Sequence, residues 1–332
     1  MNIALIARSD NTGLGNLSWD YARNLGVKKT LIIKRNGYSH FPDRFTGGRL
    51  STKEISTPDE IDWLLDGIDV LLTIETPYNW DTYSIAKKKG VRTVLIPMYE
   101  WLPPRRTEYK YIDLFMCGST LDYNVSPGNK VFIQIPVDRK RLPFKKRVVA
   151  KTFIHNAGHG GVLGRNGTSE LLAAIKMVKS DVNFIIRSQF PIGKIQDDRV
   201  QVIEGNVEHY WDLWREGDIF VFPCKFGGNF LPMNEAMSVG MPIMTTDFSP
   251  WNKFLNKDLL IPTTRTISGI VSGRSIEMAV VAPKDIAEKI DQFAHKNIEK
   301  YSEELNQMAG EISWEKIKPR IIKEFEKLCA GK

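Results

Sequence analysis

Phe226–Asp247 reads FGGNFLPMNEAMSVGMPIMTTD. An apolar run, Ile219–Pro223, ends just before it, and Gly227 and Gly228 turn the chain. A helix is then expected over Met233–Val239 and a strand over Pro242–Thr245. Strand, glycine turn, helix and strand in that order form the repeating unit of a parallel sheet. Glu235 is the only carboxylate from residue 219 to residue 246. The spacing puts it in the first turn of the helix, near the amides that would face a bound group. It is either a solvated residue of an ordinary helix or part of a site.

The same rhythm extends outward in both directions. Strands are expected at Met1–Ala7, Lys29–Ile33, Asp69–Ile74, Arg92–Pro97, Asp113–Cys117 and Lys130–Ile135. Helices are expected at Asn16–Leu25, around Ile61–Leu65 and at Thr82–Lys89. After residue 150 come strands at Thr152–His155, Asn183–Arg187, Val200–Glu204 and Ile219–Pro223. The helices there are Thr168–Lys179 and Tyr210–Trp214. Short, continuously apolar strands are those of a sheet buried on both faces. Pro136–Arg147, PVDRKRLPFKKR, breaks the rhythm with two prolines and six basic residues, and reads as a linker. The end is helical, at Pro283–Lys296, Ile298–Met308 and Ser313–Cys329. The reading is α/β, with two doubly wound domains: 1–140, joined by a closing helix from about 313–332, and 148–312.

Composition sets the outer bounds. A chain of 332 residues is too long for one ordinary core. No run approaches the roughly 18 apolar residues that span a bilayer, and the start shows no basic leader or cleavage site. Cys117, Cys224 and Cys329 are scattered and odd in number, which fits a reducing, cytoplasmic setting without disulfides. No Cys/His cluster or Asp-x-Asp motif suggests a metal, so none is expected. A net charge of +7 favours anionic partners: nucleotides, phosphorylated substrates, nucleic acid or a membrane surface at which the protein is peripheral.

Three loops after strands are candidate binding loops. Ser9–Asn16 contains Gly13 and Gly15 before a helix, an arrangement that suits anions or a plain tight turn. Asn156–Glu170 holds five glycines within its first twelve positions, Gly158 and Gly160 among them. Glycine lets backbone approach a ligand closely, and Arg165 could meet a phosphate with a planar fork. His159 is either a contact or a structural histidine. The third loop leads from Lys225 through Gly228, Asn229, Phe230 and Leu231 to Glu235. A carboxylate there suits paired sugar hydroxyls and does not suit phosphate.

At this point FGGNFLPMNEAMSVGMPIMTTD resembles the C-terminal signature of the retaining GT-B glycosyltransferases, the glycogen-synthase-like group. IQIPVDRKRLPF, FIHNAGHGGVLGRNGTSELLAAI, GNVEHYWDLWREGDIFVFP and ISWEKI are similar to further segments of that group, in its order. The resemblance implies two Rossmann-like domains facing a cleft, a C-terminal helix crossing back, and a nucleotide-diphosphate-sugar donor with no cofactor. It makes 148–312 the donor domain and 1–140 the acceptor side. It gives Glu235 the donor ribose, and gives the diphosphate to the helix start at Phe230, Leu231 and Pro232. Arg165 matches one member of the family's basic pair, with His159 or Lys225 as the other. Asn206 and Val207 fall where the base is held, and Gly13–Gly15 matches the loop that closes on the phosphates. One departure stands out: the family's first glutamate, eight positions before Glu235, is Gly227 here. Asn229 or Lys225 would have to supply its contact.

Such an enzyme breaks the bond from sugar to phosphate as negative charge grows on the leaving diphosphate, so Arg165 and Lys225 are the catalytic candidates. Retention by front-face attack is a family implication. Asp10, Glu75, Tyr78, Glu100 and Trp101 lie near strand ends of the first domain and are acceptor-side candidates. The acceptor itself stays open. A saccharide or glycoconjugate is the first reading. Lys87–Lys89, Arg105, Arg106 and the 139–147 cluster also suit a polyanion, such as hydroxymethylated DNA bases. Loss of the first glutamate leaves a non-catalytic sugar-nucleotide binder as a further reading. An epimerase of the same architecture would need an acid/base pair that the sequence does not display.

Overall fold

The computed structural model describes residues 1–331. Lys332, the last residue of the expected closing helix, lies outside the described residues. The chain divides into two compact units. One holds Met1–Ile135, the short stretch Val271–Arg274 and the chain from Trp314 onward. The other holds Pro136–Ile270 and Ser275–Ser313.

In the first unit the elements are β1 (Ile3–Ala7), α1 (Gly13–Leu25), β2 (Lys29–Ile32), β3 (Gly48–Leu50), α2 (Pro58–Leu65), β4 (Val70–Ile74), α3 (Asp81–Lys88), β5 (Arg92–Ile96), β6 (Leu114–Cys117), α4 (Thr120–Val125) and β7 (Lys130–Phe132). All seven strands are parallel, in the order β3-β2-β1-β4-β5-β6-β7. Every residue of β1 and β4 is buried, as expected for strands covered on both faces. The α1 helix starts three residues earlier than its apolar face suggested. Thr12 caps it by accepting the Gly15 amide, which draws the glycines into the first turn. Gly26 closes it in the left-handed conformation.

The second unit contains β8 (Thr152–Gly158), α5 (Thr168–Ile175), β9 (Asn183–Ser188), β10 (Val200–Glu204), α6 (Asp212–Arg215), β11 (Ile219–Phe222), α7 (Leu231–Ser238), β12 (Ile243–Thr246) and β13 (Leu260–Ile261). Its parallel sheet runs β10-β9-β8-β11-β12-β13. A separate hairpin, β14 (Arg265–Val271) and β15 (Arg274–Val280), follows before α8 (Pro283–Phe293) and α9 (Glu299–Glu311). Sequence rhythm missed this hairpin, because β14 is exposed along most of its length and shows no buried run. The last helix, α10 (Trp314–Ala330), belongs to the first unit, where Trp314 packs edge-on against Tyr21 with ring centroids 4.9 Å apart.

Pro136–Arg147 groups with the second unit and packs on it, so it is more than a spacer. Val137 pairs with Ser313. Arg147 is 3 % exposed and donates to the Trp214 carbonyl at 2.8 Å. Lys145 donates to the Arg215 carbonyl, and Lys146 pairs with Glu299 and Glu303.

Candidate functional site

Both sheets reverse their strand order beside a central strand: between β1 and β4 in the first unit, between β8 and β11 in the second. Loops leaving the carboxyl ends of such neighbours run in opposite directions and open a crevice. In the second unit these are the glycine-rich loop after β8 and the turn after β11.

The two loops are joined by main chain. The Lys225 amide donates to the Arg165 carbonyl at 2.8 Å. Gly167 has φ 70°, and a Cβ there would lie 2.2 Å from the Pro223 carbonyl oxygen. No other residue allows this approach. Asn166 donates its side-chain amide to the Ala157 carbonyl at 2.7 Å and so closes the loop on itself. The Arg165 guanidinium lies 5.3 Å from the centroid of the Phe230 ring. Lys225 forms an ion pair with Glu170 at 2.7 Å. Burial opposes ionisation of Glu170, but hydrogen bonds from Lys225 and Ser169 outweigh it and hold its carboxyl below the usual range.

Beneath this loop lies His155, fully buried on β8. Its ring joins the Val221 carbonyl at Nδ1 and the Thr168 hydroxyl at Nε2, each at 2.8 Å. Burial pushes its pKa down to about 4, against which the Val221 bond acts weakly. The ring is therefore neutral at pH 7, donating from Nδ1 and accepting from Thr168, the first residue of α5.

Glu235 lies one turn deeper in α7 than the spacing suggested, and no acid occupies that helix's first turn. It is 7 % exposed, so the reading as a solvated residue is excluded. Tyr210 donates its hydroxyl to Oε1, and the Trp214 indole N–H donates to Oε2 at 3.1 Å. Both donors are themselves held by the basic segment: the Arg141 guanidinium stacks 4.2 Å from the Tyr210 ring centroid, and Arg147 grips the Trp214 carbonyl. A carboxylate has about four acceptor positions. Tyr210 and Trp214 each hold one of the two Glu235 oxygens and so fix the plane of the carboxylate.

The start of α7 is a poorer anion site than expected. Pro232 has no N–H, and the Met233 and Asn234 amides donate back to the Phe230 carbonyl at 3.0 and 3.4 Å. Arg165 and Lys225 are cations on the two loops beside it. Gly227 has φ 136°, a region where an L side chain is strained, so this turn does not accommodate a glutamate at ease. Gly228 is buried and Asn229 half-buried beside it. His159 packs on Phe190 with centroids 5.0 Å apart, in the loop of Gly158 and Gly160. Asn206 accepts from the Gln189 side chain at 2.7 Å, with half-buried Val207 next to it.

The first unit's candidates are arranged differently. Asp10 is 2 % exposed and enclosed by its own loop, accepting from Arg8 Nε at 2.6 Å and from the Thr12 amide at 3.0 Å. A Cβ on Gly15 would lie 2.0 Å from the Asp10 carbonyl oxygen. The Gly15 amide is engaged by Thr12, and Gly13 is the first residue of α1. Glu75 and Tyr78 both take positive φ, 68° and 60°, in the loop after β4. Burial, then the charge of Glu75, pushes the Tyr78 phenol above its usual range, while Arg8 and Arg35 pull it down. Glu100 is buried and Trp101 half-buried after β5. Trp80 stands edge-on to Tyr83 and Tyr109 under Arg106, so it packs the unit.

No protein-family model matches the chain, and no curated protein is significantly similar to it. Solved structures do match. HepE from Anabaena, crystallised with UDP and glucose, superposes with a TM-score of 0.70 at 10 % identity, over 98 % of this chain and all of that one. Sucrose-phosphate synthase from Thermosynechococcus elongatus matches with a TM-score of 0.68 at 13 % identity over 100 % of both chains. The lipopolysaccharide outer core galactosyltransferase WaaB matches with a TM-score of 0.62 at 12 % identity, covering 98 % and 100 %. The chain has the GT-B fold. Identities this low carry the GT-B architecture and not the chemistry. Among the described residues, no helix is long and apolar enough to cross a membrane.

Proposed function

We propose that this GT-B chain is a glycosyltransferase that moves a sugar from a nucleotide-diphosphate sugar to a hydroxyl acceptor, with retention and without a metal. One observation carries the reading. A nearly buried carboxylate, Glu235, is oriented by Tyr210 and Trp214 on the helix that follows the glycine turn, and Arg165 and Lys225 lie on the two loops of the same crevice. Glu235 would accept from the two ribose hydroxyls, and Asn206 and Val207 would border the base. Arg165 and Lys225 would meet the diphosphate and stabilise the charge that develops as it leaves. HepE binds UDP and glucose, so UDP-sugars come first.

The acceptor is proposed to be a saccharide or glycoconjugate. A polyanion such as DNA is disfavoured by the basic segment: Arg139, Arg141, Lys145, Lys146 and Arg147 are all engaged within their own unit. Gly227 keeps a second reading, a sugar-nucleotide binder without turnover. A thermal-shift panel of UDP-, GDP-, ADP- and dTDP-sugars tests the donor reading, and slow hydrolysis of the stabilising sugar nucleotide separates enzyme from binder. Absence of any shift across the panel would overturn both readings.

A further inference from the structure

We propose that the β14–β15 hairpin is a clamp that fixes Arg165 and Lys225 in position. The inference rests on reading those two residues as the diphosphate grip.

A continuous main-chain relay connects the three parts. The Ala279 amide of β15 donates to the Lys225 carbonyl at 2.8 Å. The Lys225 amide donates in turn to the Arg165 carbonyl at 2.8 Å. Lys225 is thus a rung between the hairpin and the glycine-rich loop, held on both sides of its own Cα. A side-chain contact supports the relay. A Cβ on Gly269 of β14 would lie 2.6 Å from Met278 Cε and 3.4 Å from Leu163 Cδ1, so the hairpin closes directly on Leu163 of the loop. Leu163 itself takes φ 52°, a strained value for leucine that a firm neighbour helps maintain.

In the second unit the hairpin is anchored through β15, where Ile276 and Ala279 are buried, while β14 lies largely in solvent. Ser272 and Gly273, at φ 50° and 76°, form the tight turn that suits a two-residue connection. Ile270 is 76 % exposed and Ile267 46 %. A two-stranded hairpin alone is marginally stable, so its order rests on its attachments, of which the Ala279–Lys225 bond and the Leu163 contact reach the glycine-rich loop. Coupling of this kind is reciprocal. An anion that immobilises Arg165 and Lys225 must tighten the hairpin, and a displaced hairpin must loosen the anion.

The test is a titration of uridine, UMP and UDP into the native protein and into Ala279→Pro, which removes the N–H that bonds the Lys225 carbonyl. Uridine affinity should change by less than about twofold and UDP affinity should fall about tenfold, so that the loss grows with phosphate count. Equal loss for all three ligands, or none for UDP, overturns the clamp. Ala279 is buried, and the variant could fail to fold. Hydrogen exchange on the unaltered protein therefore provides the second measurement. UDP should slow exchange in residues 265–271 and 275–280 together with 158–167, and uridine in neither. Protection of the loop with an unchanged hairpin overturns the clamp. Arg165→Ala separates the two ideas. If it leaves the UDP-to-uridine affinity ratio unchanged, the phosphate reading fails and the clamp with it. If it lowers that ratio while the hairpin does not respond, only the clamp fails.

Discussion

The switch points of the two sheets hold similar residue types and use them in opposite ways. In the first unit, Arg8 lies against Asp10 and the Asp10 carboxylate is further closed by Thr12, so the charges satisfy one another inside one loop. In the second unit, the basic residues come from two different loops, and the key carboxylate is held by neutral donors, Tyr210 and Trp214. A carboxylate saturated by an arginine is a structural fastener. One oriented by a phenol and an indole is held in a fixed plane by groups that bring no opposing charge. The difference is why the donor site is proposed at the second switch point, and it can be attacked directly.

The largest expected effect comes from exchanging the two arginines for alanine. Arg165→Ala should lower turnover by about 10²–10³, the usual loss when a donor to developing charge is removed, while Arg8→Ala should leave sugar-nucleotide affinity within about twofold. Steady-state kinetics and calorimetry on both variants would decide this, and equal losses would erase the distinction.

Next is a pH effect with no parallel in the first unit. The His155 pKa is about 4 when folded and about 6.5 when unfolded. The unfolded chain therefore binds the proton first, so the contribution is complete above pH 6.5 and is lost as the pH falls toward 4. Its size is on the order of 3 kcal/mol. Urea titrations at pH 7 and pH 4.5 should show that fall, and His155→Gln should flatten it.

Glu235→Ala should weaken donor binding by about 30-fold, roughly 2 kcal/mol for lost hydrogen bonds to a charged group. The smallest effect is expected from Tyr210→Phe, which removes one donor to Glu235 and should reduce donor affinity about fivefold, near 1 kcal/mol. Calorimetric titration reads both. An unchanged donor affinity in Glu235→Ala would take the carboxylate out of the site.

Much of this was legible in the chain because it is local. The strands are continuous apolar runs, and the glycines of 156–167 and 227–228 mark turns wherever they occur. Glu235 stood out as an isolated acid in an apolar neighbourhood. The beginning of α1 was misjudged by three residues because a cap, Thr12, outweighs the poor helix propensity of the glycines behind it. The hairpin was missed because β14, exposed along most of its length, offers no buried pattern to read.

The sequence by itself determined the doubly wound class and the loops that could bind, since strand burial and turn chemistry depend on neighbours a few positions apart. Only the tertiary structure decided what those loops meet. Glu235 meets Tyr210 and Trp214 from 25 and 21 residues away, Arg147 reaches Trp214 across 67, and Lys225 bonds at once to Arg165 and Ala279. Local periodicity carries no information about such meetings. They are set by which strands neighbour one another and where each helix comes to rest on the sheet.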